Sequence, residues 1–197
     1  MPGSRHLLIF DEIPTGLGKT GRFFAAEHDG AKPDIVVLGK ALGGGILPIA
    51  ACVAREDLNV AGPWAYGHYT HEKNPVTAAA ALATLEVIER EGLVEQAARV
   101  GAHALERLHA LKDRHRLIGD VRGRGLLLGL ELVTDRARKT PAGDAAEAVL
   151  YRALSRGLSF KTTMGNTLTL TPPLITTGEQ MDQAIDILDA CLTEVAA

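Results

Sequence analysis

The sequence predicts an α/β fold in which a mostly parallel sheet is followed by a smaller α+β domain. Short apolar runs at residues 7–10, 35–38 and 49–54 have the composition of strands that are covered on both faces. The second half of the chain instead mixes strands with helices of similar length. We place the boundary near Glu91 and Gly92, which gives domains of residues 1–92 and 93–197.

The first half contains a glycine-rich loop and one long helix. The loop covers residues 14–21, and its glycines indicate that several positions adopt φ angles that other residues rarely reach. Residues 22–28 can form one or two helical turns. Asn74 and Pro75 then begin an alanine-rich helix, since proline suits the first helical turn, and we expect it to run to Arg90 before Gly92 ends it.

The second half begins with an amphipathic helix over residues 93–112. We expect strands at residues 126–133, 158–161 and 167–171, and helices at residues 142–155 and 179–195. The apolar stripe of the first helix predicts its buried face, which consists of Leu93, Ala97, Val100, Ala104, Leu108 and Leu111.

Composition excludes several classes of function. The 197 residues are 46% hydrophobic and carry a formal net charge of −3, which suits one large domain or two small ones. The 21 basic residues are scattered and aromatic residues make up 4%, so a nucleic-acid surface is not indicated. The sequence contains no apolar run long enough for a membrane span and no signal peptide. Its two cysteines do not have the spacing of a metal site, and we expect a reducing, cytoplasmic setting.

Two side chains of complementary chemistry follow the first two strands. Asp11 ends the first strand, and Lys40 follows the second. The carboxyl ends of parallel strands border one ligand crevice, so both side chains should open into it. Pyridoxal phosphate needs a carboxylate to keep its ring nitrogen protonated and a lysine to hold its aldehyde and move protons. The pair therefore indicates a pyridoxal phosphate site.

Other interpretations of these segments stay open or fail on spacing. An aspartate at a strand end is commonly a helix cap or an ion-pair partner, and a lysine there is commonly solvated. Residues 18–20 look like the end of a nucleotide-binding loop, but Ile13 stands where its first glycine belongs. His68, His71 and Glu72 match neither order of the zinc protease motifs, so we expect no metal.

Four ordered blocks resemble the class III aminotransferases, which are pyridoxal phosphate enzymes of fold type I. The resemblance covers nearly the whole chain. The first two blocks hold the acidic strand with its glycine loop and the lysine strand with the glycines after it. The matching segments are residues 8–21, 33–49, Thr70 with Asn74 and Pro75, and 121–126 with 172–174.

The resemblance implies a fold, a cofactor and three site residues. Residues 1–92 would be the C-terminal part of the large domain of a fold type I enzyme, and residues 93–197 its small α+β domain. Asp11 would pair with the pyridine nitrogen of pyridoxal 5'-phosphate, and Lys40 would form the Schiff base. Thr70 would bind the cofactor phosphate across the interface of a homodimer, although it could instead cap the following helix.

The sequence departs from this family at the expected substrate contacts. Pro14 replaces a glutamine near the ring hydroxyl of the cofactor. Thr169 stands where members specific for amino acids carry an arginine that clamps the α-carboxylate, and threonine cannot replace that charged fork. Lys161 could take over an anionic group or could simply be solvated. The charged residues 71–73 replace aromatic and small ones, which is compatible with lyases of amino-alcohol phosphates or phosphonates.

Family members are about twice as long as this chain, which begins just before the Asp11 strand. Without the earlier strands, residues 7–10 and 36–38 would expose apolar surface. We therefore expect the polypeptide alone to be marginally folded and inactive, or a fragment of a longer enzyme. The predicted function is amino transfer from an amine donor to an oxo acid. A lyase on the same scaffold and a non-catalytic remnant remain alternatives.

Overall fold

A computed structural model describes residues 6–60, 64 and 70–196 of the chain. The polypeptide divides into two compact units, residues 1–94 and 95–197, which are treated separately below. No helix in the described ranges is both long enough and apolar enough to cross a membrane.

The first unit is built on a three-stranded sheet with the order β1-β2-β3. Strands β1 (Ile9–Asp11) and β2 (Ile35–Leu38) are parallel, and β3 (Ala51–Ala54) runs antiparallel to β2. Short 3-10 helices lie at Ala25–Asp29, Lys40–Gly43 and Glu56–Leu58.

The long helix α1 (Pro75–Arg90) forms where the sequence predicts it. Asn74 caps its start, because its side-chain oxygen accepts a hydrogen bond from the backbone N–H of Val76 at 2.9 Å. The helix contacts the 3-10 turn at Lys40–Gly43. The longest helix of this unit therefore supports the segment that carries the candidate lysine.

The strands of this unit are more exposed than their apolar composition predicts. Ile9 is 55% exposed and Val53 is also 55% exposed, whereas Leu38 is buried. Coverage on both faces, which the apolar composition predicts, is thus absent in β3, and the exposure of Ile9 in β1 is the exposure expected for residues 7–10 of this chain. Among the described residues, β1 pairs only with β2, and nothing covers its outer side. The expected exposure of apolar surface is confirmed at Leu7, which is 47% exposed, but it is wrong for Leu38, which is buried.

The second unit packs three helices against an antiparallel sheet with the order β4-β5-β8-β7. The helices are α2 (Leu93–Arg114), α3 (Gly143–Ser155) and α4 (Gly178–Ala196), each close to its predicted bounds. The strands are β4 (Ile118–Arg124), β5 (Leu127–Asp135), β6 (Thr140–Pro141), β7 (Lys161–Thr163) and β8 (Thr167–Leu170). Strand β6 pairs with β5 beside the main sheet.

One face of this sheet forms the core, and its other face is polar. The core face carries buried leucines such as Leu128, Leu130 and Leu168, which cluster with the apolar stripe of α2. All six predicted stripe residues are buried. Side chains alternate between the two faces along a strand. Residues that are directly opposite each other on neighbouring strands therefore form a row across the polar face. That row consists of Arg122, Gly129, Thr169 and Lys161.

Candidate active site

Asp11 and Lys40 follow neighbouring parallel strands and lie toward the same edge of the sheet. Asp11 is the last residue of β1 and is in register with Val37 of β2. Lys40 comes two residues after the end of β2 at Leu38. Both side chains are exposed. The parallel pairing of the two strands therefore agrees with the expectation that these residues share one edge.

The two side chains have free functional groups. One carboxylate oxygen of Asp11 accepts the backbone N–H of Ile13 at 3.0 Å, which fixes the side chain beside the turn. Among the described residues, the structure records no other hydrogen bond or ion pair for Asp11 and none for the Lys40 amine. One carboxylate oxygen and one ammonium group are thus available to a ligand.

The backbone at Lys40 is held in an unusual conformation. Its φ angle is +46°, in the left-handed region that side chains other than glycine rarely adopt. Gly39 before it is fully extended, and hydrogen bonds from Leu42 to Gly39 and from Gly44 to Ala41 close the turn around it. Strained residues of this kind cluster at functional sites, because the surrounding structure holds the side chain where it is needed.

Glu12 is a buried acid beside Asp11 that sequence reasoning did not single out. The residue is 3% exposed. Its carboxyl group accepts the backbone N–H of Ala26 at 2.9 Å and the hydroxyl of Thr15. Its own N–H donates to the carbonyl of Val37 at 2.9 Å. Glu12 therefore ties the end of β1 to β2, to the glycine loop and to the 3-10 helix beyond it.

The glycine loop over residues 14–21 closes tightly on Glu12. The N–H of Gly16 donates to the carbonyl of Glu12 at 2.9 Å, and a β-carbon at position 16 would lie 2.9 Å from that oxygen. Leu17 adopts a φ of 60° and is buried. Burial also lowers the pKa of the Lys19 ammonium. The loop therefore packs against the end of β1, and it does not form an open loop that could surround the phosphates of a nucleotide.

The third predicted site residue, Thr70, lies in an exposed turn before α1. Asn74 provides the cap of that helix, so the alternative role of Thr70 as the cap is not realised. Residues 71–73 are exposed as well. His68 of the rejected zinc motif lies outside the described residues. The described part of the chain contains no group of three or more His, Cys, Asp or Glu that could hold a metal ion.

The geometry of the first unit fits pyridoxal phosphate. The cofactor requires an anionic partner for its ring nitrogen and an amine for its aldehyde, both on rigid supports. Asp11 is fixed by Ile13, and Lys40 is fixed by the closed turn that starts at Gly39. An unpaired carboxylate oxygen and an unpaired amine toward one sheet edge meet both requirements. Such a pair can orient an aldehyde ligand and move a proton.

Comparison with known proteins shows the family to which the chain is similar. Residues 4–192 match the family model described as Aminotransferase class-III. The (R)-1-hydroxy-2-aminoethylphosphonate ammonia-lyase of Vibrio splendidus is 46% identical over 96% of this chain. The acetylornithine aminotransferase of Caldanaerobacter subterraneus is 40% identical over 96% of this chain. Relatives named as racemases or epimerases match at similar identity.

The fold is also similar to solved structures. An aminotransferase of Bacillus anthracis matches 95% of this chain with a TM-score of 0.88 and 36% identity. The alignment covers 45% of that protein, 40% of the lyase and 45% of the acetylornithine enzyme. The chain thus spans less than half the length of these relatives. The likeness confirms the predicted fold class, the C-terminal part of a fold type I enzyme.

Proposed function

Because the chain belongs to the class III aminotransferase family, whose members depend on pyridoxal phosphate, we propose that it supplies the lysine and the aspartate of an aminotransferase site. The reaction would move an amino group from an amine donor to an oxo acid. The observation that carries this proposal is that the second carboxylate oxygen of Asp11 and the Lys40 amine have no partner among the described residues and lie toward one sheet edge. In this assignment residues 1–92 serve the cofactor and residues 93–197 form the small domain.

The roles of the two residues follow from their charges and supports. When bound, the cofactor supplies an electron sink for the bond-breaking step. Asp11 would hold the proton of the ring nitrogen through its free carboxylate oxygen. Lys40 would hold the cofactor aldehyde and, once displaced by an amine substrate, would carry a proton to and from the reacting carbon.

The assignment of Lys40 is tested by chemical trapping. Borohydride reduction fixes the cofactor to the amine that holds it, and peptide mass spectrometry then identifies that amine. We expect the label on the peptide containing Lys40, complete loss of that label in Lys40→Ala, and full labelling in Lys32→Ala. Lys32 is the matched control, because it is an exposed lysine of the same unit. Labelling spread evenly over other lysines would contradict the proposal.

We further propose that Thr70 donates a hydrogen bond to the cofactor phosphate in the partner subunit of a homodimer. The exposure of Thr70 and the capping of α1 by Asn74 support this role, since Thr70 has no helix end to satisfy. Thr70→Ala should weaken the binding of pyridoxal phosphate and leave that of pyridoxal, which lacks the phosphate, unchanged. Thr70→Ser keeps the hydroxyl and should bind pyridoxal phosphate as tightly as the parent chain. Light scattering tests separately whether the chain forms a dimer.

Elimination is the second candidate function. A relative at 46% identity is named as an ammonia-lyase, and Thr169 cannot clamp an α-carboxylate as an arginine would. Release of ammonia without any oxo acid would support a lyase, whereas strict dependence on an oxo acid would support amino transfer. In a non-catalytic remnant, by contrast, replacement of Lys40 would leave the protein's function intact.

We also infer that residues 1–197 alone have little activity, although they can hold the cofactor. Leu7, Leu8 and Ile9 are 47%, 44% and 55% exposed at the outer edge of the sheet, which leaves apolar surface uncovered beside the strand that carries Asp11. Steady-state turnover of the purified chain with cofactor, amine and oxo acid tests this. Turnover at rates ordinary for enzymes, on the order of 10 per second, would refute it.

A further inference from the structure

A groove of about 680 Å³ lies between helices α2 and α4 of the second unit. Four residues of α2 form one wall, and their spacing places them on one face of that helix. They are Gln96, Arg99, Val100 and His103. The first turns of α4 form the opposite wall. A groove of this volume can hold a small molecule.

Side-chain hydrogen bonds fix the two helices to each other at both ends of the groove. At one end, the side-chain amide of Gln96 donates to the backbone carbonyls of Leu174 and Thr176 at 3.2 and 3.3 Å. Further along α2, His103 donates to the carboxylate of Asp182 at 2.7 Å. The helices therefore run side by side in the same direction, and the groove lies between these two contacts.

Two opposite charges line the groove without pairing. Arg99 of α2 and Glu179 of α4 are both exposed. In the described part of the chain, neither side chain forms an ion pair or hydrogen bond with the other or with a third residue. Further along the same helices, by contrast, Arg107 pairs with Asp182 and with Asp186, each at 2.7 Å. The groove is thus a place where the charges of α2 and α4 are left unneutralised.

Two opposite charges on the walls of one groove match a ligand that carries both charges itself. A guanidinium group can bind a carboxylate through two parallel hydrogen bonds. The Glu179 carboxylate can accept a hydrogen bond from an ammonium group. The side-chain oxygen of Gln96 can accept another, because it has no donor among the described residues. Val100 adds apolar surface to the same wall.

We propose that the groove binds a small zwitterion, with Arg99 holding its carboxylate and Glu179 holding its ammonium group. The ligand class is a compound of the amino acid type, in which a few bonds separate the two charged groups. The inference depends on the second unit alone and on no cofactor. It therefore stands or fails independently of the function proposed for Asp11 and Lys40.

Titration of the 197-residue chain without cofactor, followed by amide chemical shifts in NMR spectra, tests this binding site. Glycine and γ-aminobutyrate serve as probes with a short and a long separation between the charges. We expect saturable shifts at residues 96–103 and 177–182, and the probe that saturates at lower concentration identifies the preferred separation. The N-acetyl and amide derivatives of that probe carry one charge each. They should bind about tenfold or more weakly, because each loses a charge-assisted hydrogen bond.

Arg99→Gln and Glu179→Gln each remove one of the two charges and should weaken binding of the better probe about tenfold, with unaltered circular dichroism spectra. The matched controls are Arg116→Gln and Glu147→Gln, which remove exposed charges outside the groove and should leave the affinity unchanged. The proposal is overturned if neither probe gives saturable shifts at these residues at millimolar concentration. It is also overturned if the derivatives with one charge bind as tightly as the zwitterion, or if Arg99→Gln binds as tightly as the parent chain.

Discussion

Gly101 of helix α2 lies directly against the backbone of Gly125 in the turn between β4 and β5. A β-carbon at position 101 would be 2.1 Å from the carbonyl oxygen of Gly125 and 2.3 Å from its carbonyl carbon. Both atoms are backbone, so no side-chain rotation can relieve the contact. Helix and turn can approach this closely because position 101 has no side chain.

Gly101→Ala is therefore expected to destabilise the second unit. Alanine favours a helix over glycine by up to about 1 kcal/mol, but the steric overlap outweighs that gain because the backbone must shift. We expect a net loss of about 1–3 kcal/mol or more in the free energy of unfolding. Denaturant unfolding followed by circular dichroism measures it.

Gly178→Ala is the matched control for that substitution. Gly178 begins helix α4, and a β-carbon there would meet nothing within 4 Å. We expect an unchanged or slightly increased free energy of unfolding, since the alanine adds helix propensity without a clash. Equal destabilisation by both substitutions would show that close packing at Gly101 is not the cause.

The buried carboxyl group of Glu12 is predicted to stabilise the first unit. Glu12→Ala leaves the backbone N–H of Ala26 without its acceptor, and Ala26 is buried. An unsatisfied buried donor costs about 1–3 kcal/mol. Hydrogen exchange should show faster exchange of the Ala26 amide, together with a lower unfolding midpoint.

Two further variants separate the hydrogen bonds of Glu12 from its charge. Glu12→Gln keeps one acceptor oxygen for Ala26 and should cost less than Glu12→Ala. Glu56→Ala removes an exposed acid from the same unit and should have almost no effect. If Glu56→Ala is as destabilising as Glu12→Ala, then the loss of an acid from this unit matters more than the two hydrogen bonds.

Local signals in the sequence were sufficient to predict the helices but not every strand. Helix α1 starts at Pro75 because Asn74 caps it, and both residue types predict a helix start at this position. Strand β4 was not predicted as a strand, because Gly119, Asp120 and Gly123 all have low strand propensity. Its pairing with β5 supplies the hydrogen bonds that override this preference. The strand predicted at residues 158–161 lies at Lys161–Thr163 for the same reason, since its pairing with β8 sets its limits.

The predictable part of the candidate site is the part that depends on strand ends. Asp11 and Lys40 could be assigned to one edge because parallel strands place their carboxyl ends together. Glu12 could not be assigned, because its partners Thr15 and Ala26 approach it only after the loop has closed. The groove between α2 and α4 depends on how the two helices pack against each other, which a sequence pattern does not specify.

The contact between α2 and α4 predicts a loss of stability in acid. Asp182 on α4 accepts hydrogen bonds from Arg107 and His103 on α2, each at 2.7 Å. Both hydrogen bonds lower the pKa of the Asp182 carboxyl group, and the bond from Arg107 has the larger effect. A carboxyl group with a lowered pKa in the folded state binds fewer protons than in the unfolded chain. Its contribution is present above about pH 4 and disappears as the pH falls through the lowered pKa.

Asp182→Asn should therefore destabilise the protein at pH 7 but have a progressively smaller effect below pH ~4. Urea unfolding at several pH values measures the difference between the parent chain and the variant. Asp113→Asn removes an exposed acid of α2 and serves as the control for the loss of one negative charge at pH 7. A difference for Asp182→Asn that stays constant down to pH ~3 would contradict this coupling.

The free carboxylate oxygen of Asp11 makes the sharpest prediction for the candidate site. Asparagine has the same shape, and its oxygen can still accept the N–H of Ile13, so Asp11→Asn should leave the fold and its unfolding midpoint unchanged. Asparagine carries no charge, however, and cannot hold a proton on a pyridine nitrogen at neutral pH. We therefore expect weaker cofactor binding, with the absorbance of the bound cofactor titrating at lower pH than in the parent chain. Asp11→Glu should retain the charge and shift the titration less, and an unaltered titration in Asp11→Asn would remove Asp11 from the site.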